Sequence, residues 1–393
     1  MAASLNLGRR AIPDYLLDGN LVLAAVLSRG LDVLALPRQV LLAGRTSLVP
    51  AEISFTHGVP EASTLSGVTF AQDQRLRRAL AQRVGVELPQ GATFTWRSLR
   101  RAQEWARTIG FPVVVKDARG ENPARAVYNV NNPDELREAF EELRRRRPED
   151  RSPGSNPHLA GYAATRLGYI IDDDGNEVAP LHTRMLVEKQ LPGKVLRCVV
   201  VGGRVAGVFV HTDNGQVVSE VLKQGISTEI EELAIRAANA IPGLGVAMID
   251  IATEEAPARA EQAMVVEVGE RPRLHTIYPV DPELAHQIAS DIVDFQAGKA
   301  SLELKPPLEE ITGEIEIDGL GDVAEAAEQL PVVLSEDRID IEVISIDERE
   351  GNLSARVTAT PKLLADVIDL LMTGALIDDR AMSIEFKHAS TDA

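Results

Sequence analysis

Hydrophobic and polar positions alternate along the chain in short segments of both helical and strand type. The apolar run 20–30 predicts a helix that stops at a glycine, and 31–36 predicts a strand after it. Helical spacing returns in 72–84, and 86–88 predicts a short strand. Residues 111–116 (Phe-Pro-Val-Val-Val-Lys) predict a buried strand that ends on a charge. The pattern favours a mixed α/β fold.

Capping and turn residues mark further elements in the middle of the chain. A further helix is predicted over 98–108, and Asn132 followed by Pro133 is typical of a helix start. The strands 195–201 and 204–210 flank Gly-Gly, which predicts a hairpin. A dinucleotide-binding fingerprint would need a helix after the glycines, so these glycines do not indicate a nicotinamide enzyme.

The last third of the chain repeats the mixture of strands and helices. After a helix at 229–240, strands at 246–251 and 264–268 and a helix at 281–295, Lys305-Pro-Pro predicts a linker. Beyond the linker we predict a ferredoxin-like βαββαβ domain. Its elements are strand 313–318, helix 322–330, strand 339–346, strand 353–358, helix 362–371 and strand 382–386.

Charge is concentrated in that last segment. Residues 302–393 carry 22 Asp and Glu against 7 Lys and Arg, a balance of −15 out of −18 for the 393-residue chain. Such a field opposes nucleic acid and anionic membrane surfaces. The single cysteine, Cys198, excludes a disulfide framework, and no apolar stretch reaches membrane-spanning length. We expect a cytoplasmic protein without a signal peptide, and a homo-oligomer.

Four segments together resemble the ATP-grasp superfamily, above all the amino-acid and peptide ligases typified by D-alanine–D-alanine ligase and cyanophycin synthetase. They are the helix and Val-Gly-Val-Glu-Leu-Pro of 73–89, Gly-Phe-Pro-Val-Val-Val-Lys of 110–116, Leu-Val-Glu-Lys-Gln-Leu-Pro-Gly of 186–193, and Gly-Leu-Gly-Val-Ala-Met-Ile-Asp of 243–250 with Val-Val-Glu after it. The resemblance covers about residues 20–300.

The resemblance implies two α+β lobes that follow an α/β domain and clamp ATP with Mg²⁺. The implied domains are 1–72, an N-lobe at 73–190, a C-lobe with the metal site at 191–304, and the acidic domain at 308–393. Such enzymes phosphorylate a small-molecule carboxylate and let an amine attack the acylphosphate, which requires cations on the phosphates. The implied substrates are amino acids or peptides.

Particular residues match the motifs of that family. The resemblance implies that Lys116 and Arg78 contact phosphates and that Asp250 and Glu267 hold the metal. It also implies an adenine hinge and two reaction-centre arginines. The hinge residues are Glu188, Lys189, Gln190 and Leu191, and the arginines are Arg197 and Arg271.

Some of these residues also have a purely structural interpretation. Arg78 could lie on a solvated helix face with Arg75, Arg77 and Arg83, and Arg197 could pair with an acid. His275 could contact substrate, or serve as a hydrogen-bonded structural histidine.

The sequence departs from the family at several nucleotide-contacting positions. Gly269 replaces a metal-binding amide, Val195 a ribose-binding acid, and 120–125 a glycine-rich loop; Asp117 stands where proline is common. Two hypotheses therefore stand. One is an ATP-dependent carboxylate–amine ligase. The other is a non-catalytic relative that binds nucleotide or peptide, or assembles through its acidic domain.

Overall fold

The computed structural model describes residues 12–119, 126–145, 170–171, 177–178, 184–212, 217–222, 226–253, 263–335 and 339–389. The described residues form two compact units. Unit 1 combines the described residues up to Ala62 with those from Arg273 onward, and unit 2 is the continuous stretch Ser63–Pro272. The sequence-predicted loop 120–125 lies outside the described residues.

Helices occur in both units, and several begin where the sequence predicts. Asn132 accepts hydrogen bonds from the amides of Asp134 and Glu135, and proline occupies the first helical position. The described helices are α1 (Asp14–Ser28), α2 (Leu65–Ala71), α3 (Gln74–Arg83), α4 (Leu99–Ile109), α5 (Pro133–Arg144), α6 (Thr228–Asn239), α7 (Leu274–Ile277), α8 (Pro282–Ala300), α9 (Val323–Ser335) and α10 (Pro361–Thr373). Among them, none combines the length and the apolar character that crossing a bilayer requires.

The strands of the described residues pair into one large sheet in unit 1 and smaller sheets in unit 2. They are β1 (Asp32–Leu36), β2 (Val40–Leu48), β3 (Ala51–Thr56), β4 (Val59–Pro60), β5 (Gly91–Thr95), β6 (Val113–Asp117), β7 (Ala126–Val130), β8 (Ile170–Ile171), β9 (Glu177–Val178), β10 (Arg184–Lys189), β11 (Lys194–Val201), β12 (Arg204–Thr212), β13 (Val217–Val221), β14 (Val246–Thr253), β15 (Met264–Gly269), β16 (Ile311–Asp318), β17 (Asp340–Asp347), β18 (Asn352–Ala359) and β19 (Ser383–His388). The mixed α/β class expected from the sequence is confirmed.

Unit 1 is built on an eight-stranded sheet in the order β17-β18-β16-β19-β1-β2-β3-β4. Its last six elements follow the predicted order of strand, helix, strand, strand, helix and strand. However, β19 also pairs antiparallel with β1, so the sheet continues into the strands near the start of the chain. The ferredoxin-like assignment and the predicted domain boundaries stay predictions.

Besides the short pair β8-β9, the described residues of unit 2 form two larger sheets, each with a helix-covered face. In the sheet β5-β10-β6-β7, Val113, Val115 and Val187 join the core under α4 and α5. In the sheet β13-β12-β11-β14-β15, Leu196 and Cys198 belong to a second core that includes α6. Because side chains alternate along a strand, the opposite face of each sheet is available for other chemistry.

One local prediction in unit 2 is wrong. Residues 86–88 form no strand; Val86 instead donates its amide to Ala81, and Glu87 accepts from Val265 at the sheet edge. The apolar positions Leu76 and Val84, spaced as the inner face of a helix, are 43% and 46% exposed. Helix α3 therefore turns a different side inward.

Candidate functional site

The face of the sheet β5-β10-β6-β7 that points away from α4 and α5 carries a buried ion pair. Lys116 lies opposite Leu186, and Glu188 lies opposite Val114. Directly opposite residues of antiparallel neighbours point to the same face, so Lys116 and Glu188 share it. Lys116 Nζ lies 2.6 Å from Glu188 Oε1. The lysine next to the last residue of β6 is thus turned inward and paired.

Three charged residues form a row across the second sheet of unit 2. Arg197, Asp250 and Glu267 lie directly opposite one another on β11, β14 and β15. Arg197 Nε and Nη2 donate to the two carboxylate oxygens of Asp250, both at 2.8 Å. Arg197 is wholly buried. A two-pronged guanidinium–carboxylate contact of this kind fixes both side chains.

The charged faces of the two sheets meet at Lys116. Its ammonium lies 3.2 Å from Glu267 Oε2 and donates to the carbonyl oxygen of Val266, also at 3.2 Å. Burial opposes the charged form of Lys116, but Glu188 and Glu267 outweigh burial and raise its pKa above the usual lysine range. Lys116 is therefore a permanent cation that bridges two carboxylates.

Helix α3 contributes two more cations from its inward side. Gln74, Arg77, Arg78 and Ala81 follow the i, i+3, i+4, i+7 spacing that places residues on one helix face. Arg77 Nη2 lies 2.6 Å from Glu267 Oε1, and Arg78 Nη1 lies 2.9 Å from Glu188 Oε2. The interpretation of Arg77 as a solvated residue is therefore wrong, and Arg78 is paired rather than solvated.

These contacts define the charge cluster of unit 2. Its members are Arg77, Arg78, Lys116, Glu188, Arg197, Asp250 and Glu267. With all seven ionised, the cluster carries one net positive charge. Burial raises the pKa of Glu267, but Arg77 and Lys116 more than offset burial, and the resulting pKa lies below the usual glutamate value. The cluster is an internally paired site with a small excess of positive charge.

Tyr128 lies beside the charge cluster, although no sequence motif had singled it out. It lies two residues after Ala126, which is opposite Lys116, so its ring is on the charged face of the sheet. Burial raises the pKa of Tyr128; Lys116 opposes this rise, while Glu267, Asp250 and Glu188 add to it. An aromatic residue on a strand next to a candidate lysine is the signal that could have identified it.

Gly91 on β5 leaves the space through which Arg78 reaches Glu188. A Cβ at Gly91 would lie 2.9 Å from the Cβ of Glu188 and 3.1 Å from Arg78 Nη2. We expect Gly91→Ala to separate the pair and to lower the free energy of unfolding by about 1–3 kcal/mol. Urea unfolding measures this. The control Gly298→Ala, whose Cβ meets open space in α8, should stabilise by about 0.5–1 kcal/mol. Equal effects of the two variants would contradict the prediction.

The predicted adenine hinge is tied to its neighbours through backbone and side chain. The amides of Lys189 and Gln190 donate to the carbonyl oxygens of Gln90 and Pro112, at 2.8 and 3.2 Å. Lys189 Nζ donates to the carbonyl oxygens of residues 110 and 111 at 3.0 and 2.9 Å. Leu191 follows β10 and is half-buried. The hinge assignment stays a prediction. The backbone amides of Lys189 and Gln190 already donate hydrogen bonds to carbonyl oxygens of the chain.

The remaining candidate residues lie in different settings. Arg271 follows the end of β15 and is half-buried. In unit 1, His275 Nδ1 lies 2.9 Å from Asp18 Oδ1, and the His275 amide donates to the same oxygen. His275 thus has the hydrogen-bonded arrangement of a structural histidine.

Burial raises the pKa of the Cys198 thiol to about 12, so it is not a thiolate at neutral pH.

Asp250 and Glu267 do not fit a Mg²⁺ ion in this arrangement. Both oxygens of Asp250 accept from Arg197, and the oxygens of Glu267 contact Arg77 and Lys116. Within the described part of the chain, no three His, Cys, Asp or Glu side chains are grouped as metal ligands. Mg²⁺ needs several oxygen ligands in near-octahedral geometry. The chain's own cations occupy the oxygens that such an ion would use.

Comparison with solved structures finds partial likenesses to ATP-grasp proteins. D-alanine–D-alanine ligase from Bacillus anthracis matches with 15% identity and a TM-score of 0.40, over 61% of this chain and 70% of that one. An ATP-grasp RimK domain protein from Sphaerobacter thermophilus matches with 16% identity and a TM-score of 0.37, over 58% and 69%. The ATP-grasp ligase PsnB, complexed with a minimal precursor, matches with 13% identity and a TM-score of 0.38, over 60% and 63%.

No protein-family profile matches the chain, and no curated protein matches it. Two of these three solved structures are named as ATP-grasp proteins, and the third as a D-alanine–D-alanine ligase. The function proposed for the chain depends on the geometry of the charge cluster.

Proposed function

We propose that the chain is an ATP-dependent ligase that joins a carboxylate to an amine. The observation that carries the proposal is the pair of cations, Lys116 and Arg78, that share the two oxygens of Glu188 at 2.6 and 2.9 Å. Two fixed cations around one buried carboxylate form a site for an anion. Phosphate oxygens of the nucleotide would replace the oxygens of Glu188 between them.

The reaction follows from phosphoryl transfer to a carboxylate. An oxygen of the substrate carboxylate attacks the γ-phosphorus of ATP, ADP leaves with the bonding electrons, and an acylphosphate forms. The amine nitrogen then attacks the acyl carbon, phosphate leaves, and the nitrogen releases a proton. Lys116 and Arg78 would stabilise the negative charge on the transferred phosphoryl group, which is the main task in such a reaction. Arg271 stays a predicted contact of the reaction centre.

Burial of the cluster requires an opening step before the nucleotide can bind. Lys116 is 5% exposed and Glu267 is 6% exposed. A nucleotide between the two sheets therefore has to separate Lys116 from Glu267, which lie 3.2 Å apart. Closure over the bound nucleotide would then exclude water from the acylphosphate, which protects it from hydrolysis.

We expect Lys116→Ala to lower ADP release, measured with pooled amino acids and short peptides, by about 10²–10³-fold, because it removes one of the two phosphate cations. Lys194, an exposed lysine at the start of β11, provides the matched control, and Lys194→Ala should keep wild-type turnover. Wild-type turnover in the Lys116 variant would contradict the proposed function.

A specific observation favours the second candidate, a nucleotide- or peptide-binding protein without ligase activity. The carboxylates at the expected metal positions are neutralised by Arg77, Lys116 and Arg197. Stoichiometric ATP binding without ADP release, across all carboxylate and amine mixtures, would support this candidate over the ligase. Homo-oligomerisation stays a prediction for either function.

A further inference from the structure

The carboxylates of Asp250 and Glu267, which do not fit a metal ion, are instead paired with cations of the chain itself. Two carboxylates directly opposite each other on β14 and β15 would repel unless a cation lay between or beside them. The cation charge is supplied by the chain itself. Arg197 contacts both oxygens of Asp250, and Arg77 contacts one oxygen of Glu267 at 2.6 Å.

The arginines are built into the fold and are not easily displaced. Arg197 occupies a central strand in register with Asp250 and is wholly buried. Arg77 is also buried, and its Nη1 donates to the carbonyl oxygens of Val268 and Ala71. A guanidinium does not lose its proton at physiological pH, so a divalent ion entering between the carboxylates would meet two fixed positive charges.

We propose that Arg77 and Arg197 take the place of a divalent cation at Asp250 and Glu267, so that a nucleoside triphosphate binds this site without metal. The nucleotide part of this inference rests on the proposed function, whereas the exclusion of metal from the carboxylate pair does not. Metal-free ATP carries more negative charge than its Mg²⁺ complex. The single excess positive charge of the cluster therefore favours the metal-free nucleotide.

Titration of the full-length protein with Mn²⁺ alone, followed by electron paramagnetic resonance, tests the exclusion of metal. The wild type should bind no Mn²⁺ with a dissociation constant below ~1 mM, which is the weak end of carboxylate sites for divalent ions. A stoichiometric wild-type site tighter than this, and lost in Glu267→Gln, would overturn the inference.

Variants that release the carboxylates should create the metal site. We expect Arg77→Met combined with Arg197→Met to gain Mn²⁺ affinity of at least about tenfold over the wild type, because both oxygens of Asp250 and Oε1 of Glu267 lose their arginine contacts. Arg83→Met, on the exposed side of α3, is the matched control and should gain none. Circular dichroism reports whether the double variant folds. If it does not fold, the wild-type titration decides the question by itself.

Calorimetric titration of the wild type with ATP, in EDTA and in excess Mg²⁺, separates this inference from the proposed function. Affinity in EDTA should equal or exceed affinity in Mg²⁺. Affinity that rises tenfold or more with Mg²⁺ would overturn metal-free binding. ATP binding in neither condition would refute metal-free nucleotide binding together with the proposed function, and the Mn²⁺ titration would still decide the exclusion of metal from the carboxylates.

Discussion

Replacing Arg197 alone with Met should lower the free energy of unfolding by about 3–5 kcal/mol, because Asp250 would be left as a buried charge without its guanidinium. Replacing Asp250 alone with Leu should lower the free energy of unfolding by a similar amount, because Arg197 would be left as a buried charge without its carboxylate. The double variant should lie within about 2 kcal/mol of the wild type, since an apolar pair avoids the desolvation of two charges. Urea unfolding of the four proteins gives the coupling between the two side chains.

An exposed ion pair of the same unit provides the comparison. Arg100 Nε lies 3.2 Å from Glu104 Oε1 on α4, with side chains 92% and 57% exposed. Pairs in water contribute little, so Arg100→Met should change the free energy of unfolding by less than about 0.5 kcal/mol. Additive losses in the Arg197 and Asp250 variants would show that the two residues act independently, against the bidentate contact described here.

Asp369→Asn should stabilise the protein at pH 8 by about 2–4 kcal/mol and remove much of the pH dependence of its stability. Asp369 is buried on α10, accepts from Asn20 Nδ2 at 3.0 Å, and lies 3.4 Å from Gln39 Nε2. Burial raises its pKa to about 7, although both amides lower it; on the same helix, Asp366 raises it and Lys362 lowers it. Each unit of pKa difference corresponds to about 1.4 kcal/mol.

The sign of this effect follows from the folded and unfolded pKa values. The folded state keeps a proton on Asp369 up to about pH 7, whereas an unfolded aspartate releases it near 3.8. The contribution of Asp369 to stability is therefore greatest at low pH and falls as the pH rises from about 4 to 7. Thermal unfolding between pH 5 and 8 measures the slope, most of which the Asn variant should lose.

The hydrogen bonds around Asp369 agree with a neutral group at this position. Asn20 Oδ1 and Gln39 Oε1 are buried, and within the described residues neither has a hydrogen-bond partner. A protonated Asp369, or an asparagine there, could donate to one of them, whereas a carboxylate cannot. Asp378→Asn, at an exposed site after α10, is the control and should leave stability unchanged. A pH slope that is undiminished in Asp369→Asn would contradict the assignment.

Three residues of the charge cluster stood out in the sequence because their signals were local. Lys116 ends an apolar strand, and Asp250 and Glu267 end apolar runs that become neighbouring strands. Arg77 was missed because Leu76, Leu80 and Val84 suggested a different inner face of α3. The inner face of α3 is polar because Arg77 and Arg78 pair with carboxylates of the two sheets. The spacing of hydrophobic residues cannot predict a helix face of this kind.

The pairing of strands that lie far apart in the sequence could not be predicted from local patterns either. The strands near both ends of the chain were predicted one by one, but their union in a single sheet depends on contacts such as Val33 with Phe386. Nothing within either segment indicates its partner, since both show ordinary alternation of apolar and polar residues. The prediction of a domain at 308–393 was based on its charge and its order of elements, and neither of these shows that its last strand pairs with β1.

The pairing of β1 with β19 determines the order in which the two units can fold during synthesis. Unit 2 is one uninterrupted stretch, so it can leave the ribosome complete and close its own cores while later residues are still being added. The large sheet of unit 1 cannot finish until its final strand emerges, because β19 joins β16 to β1. Until then β1 keeps an unpaired edge, which can pair with another chain and so favours aggregation.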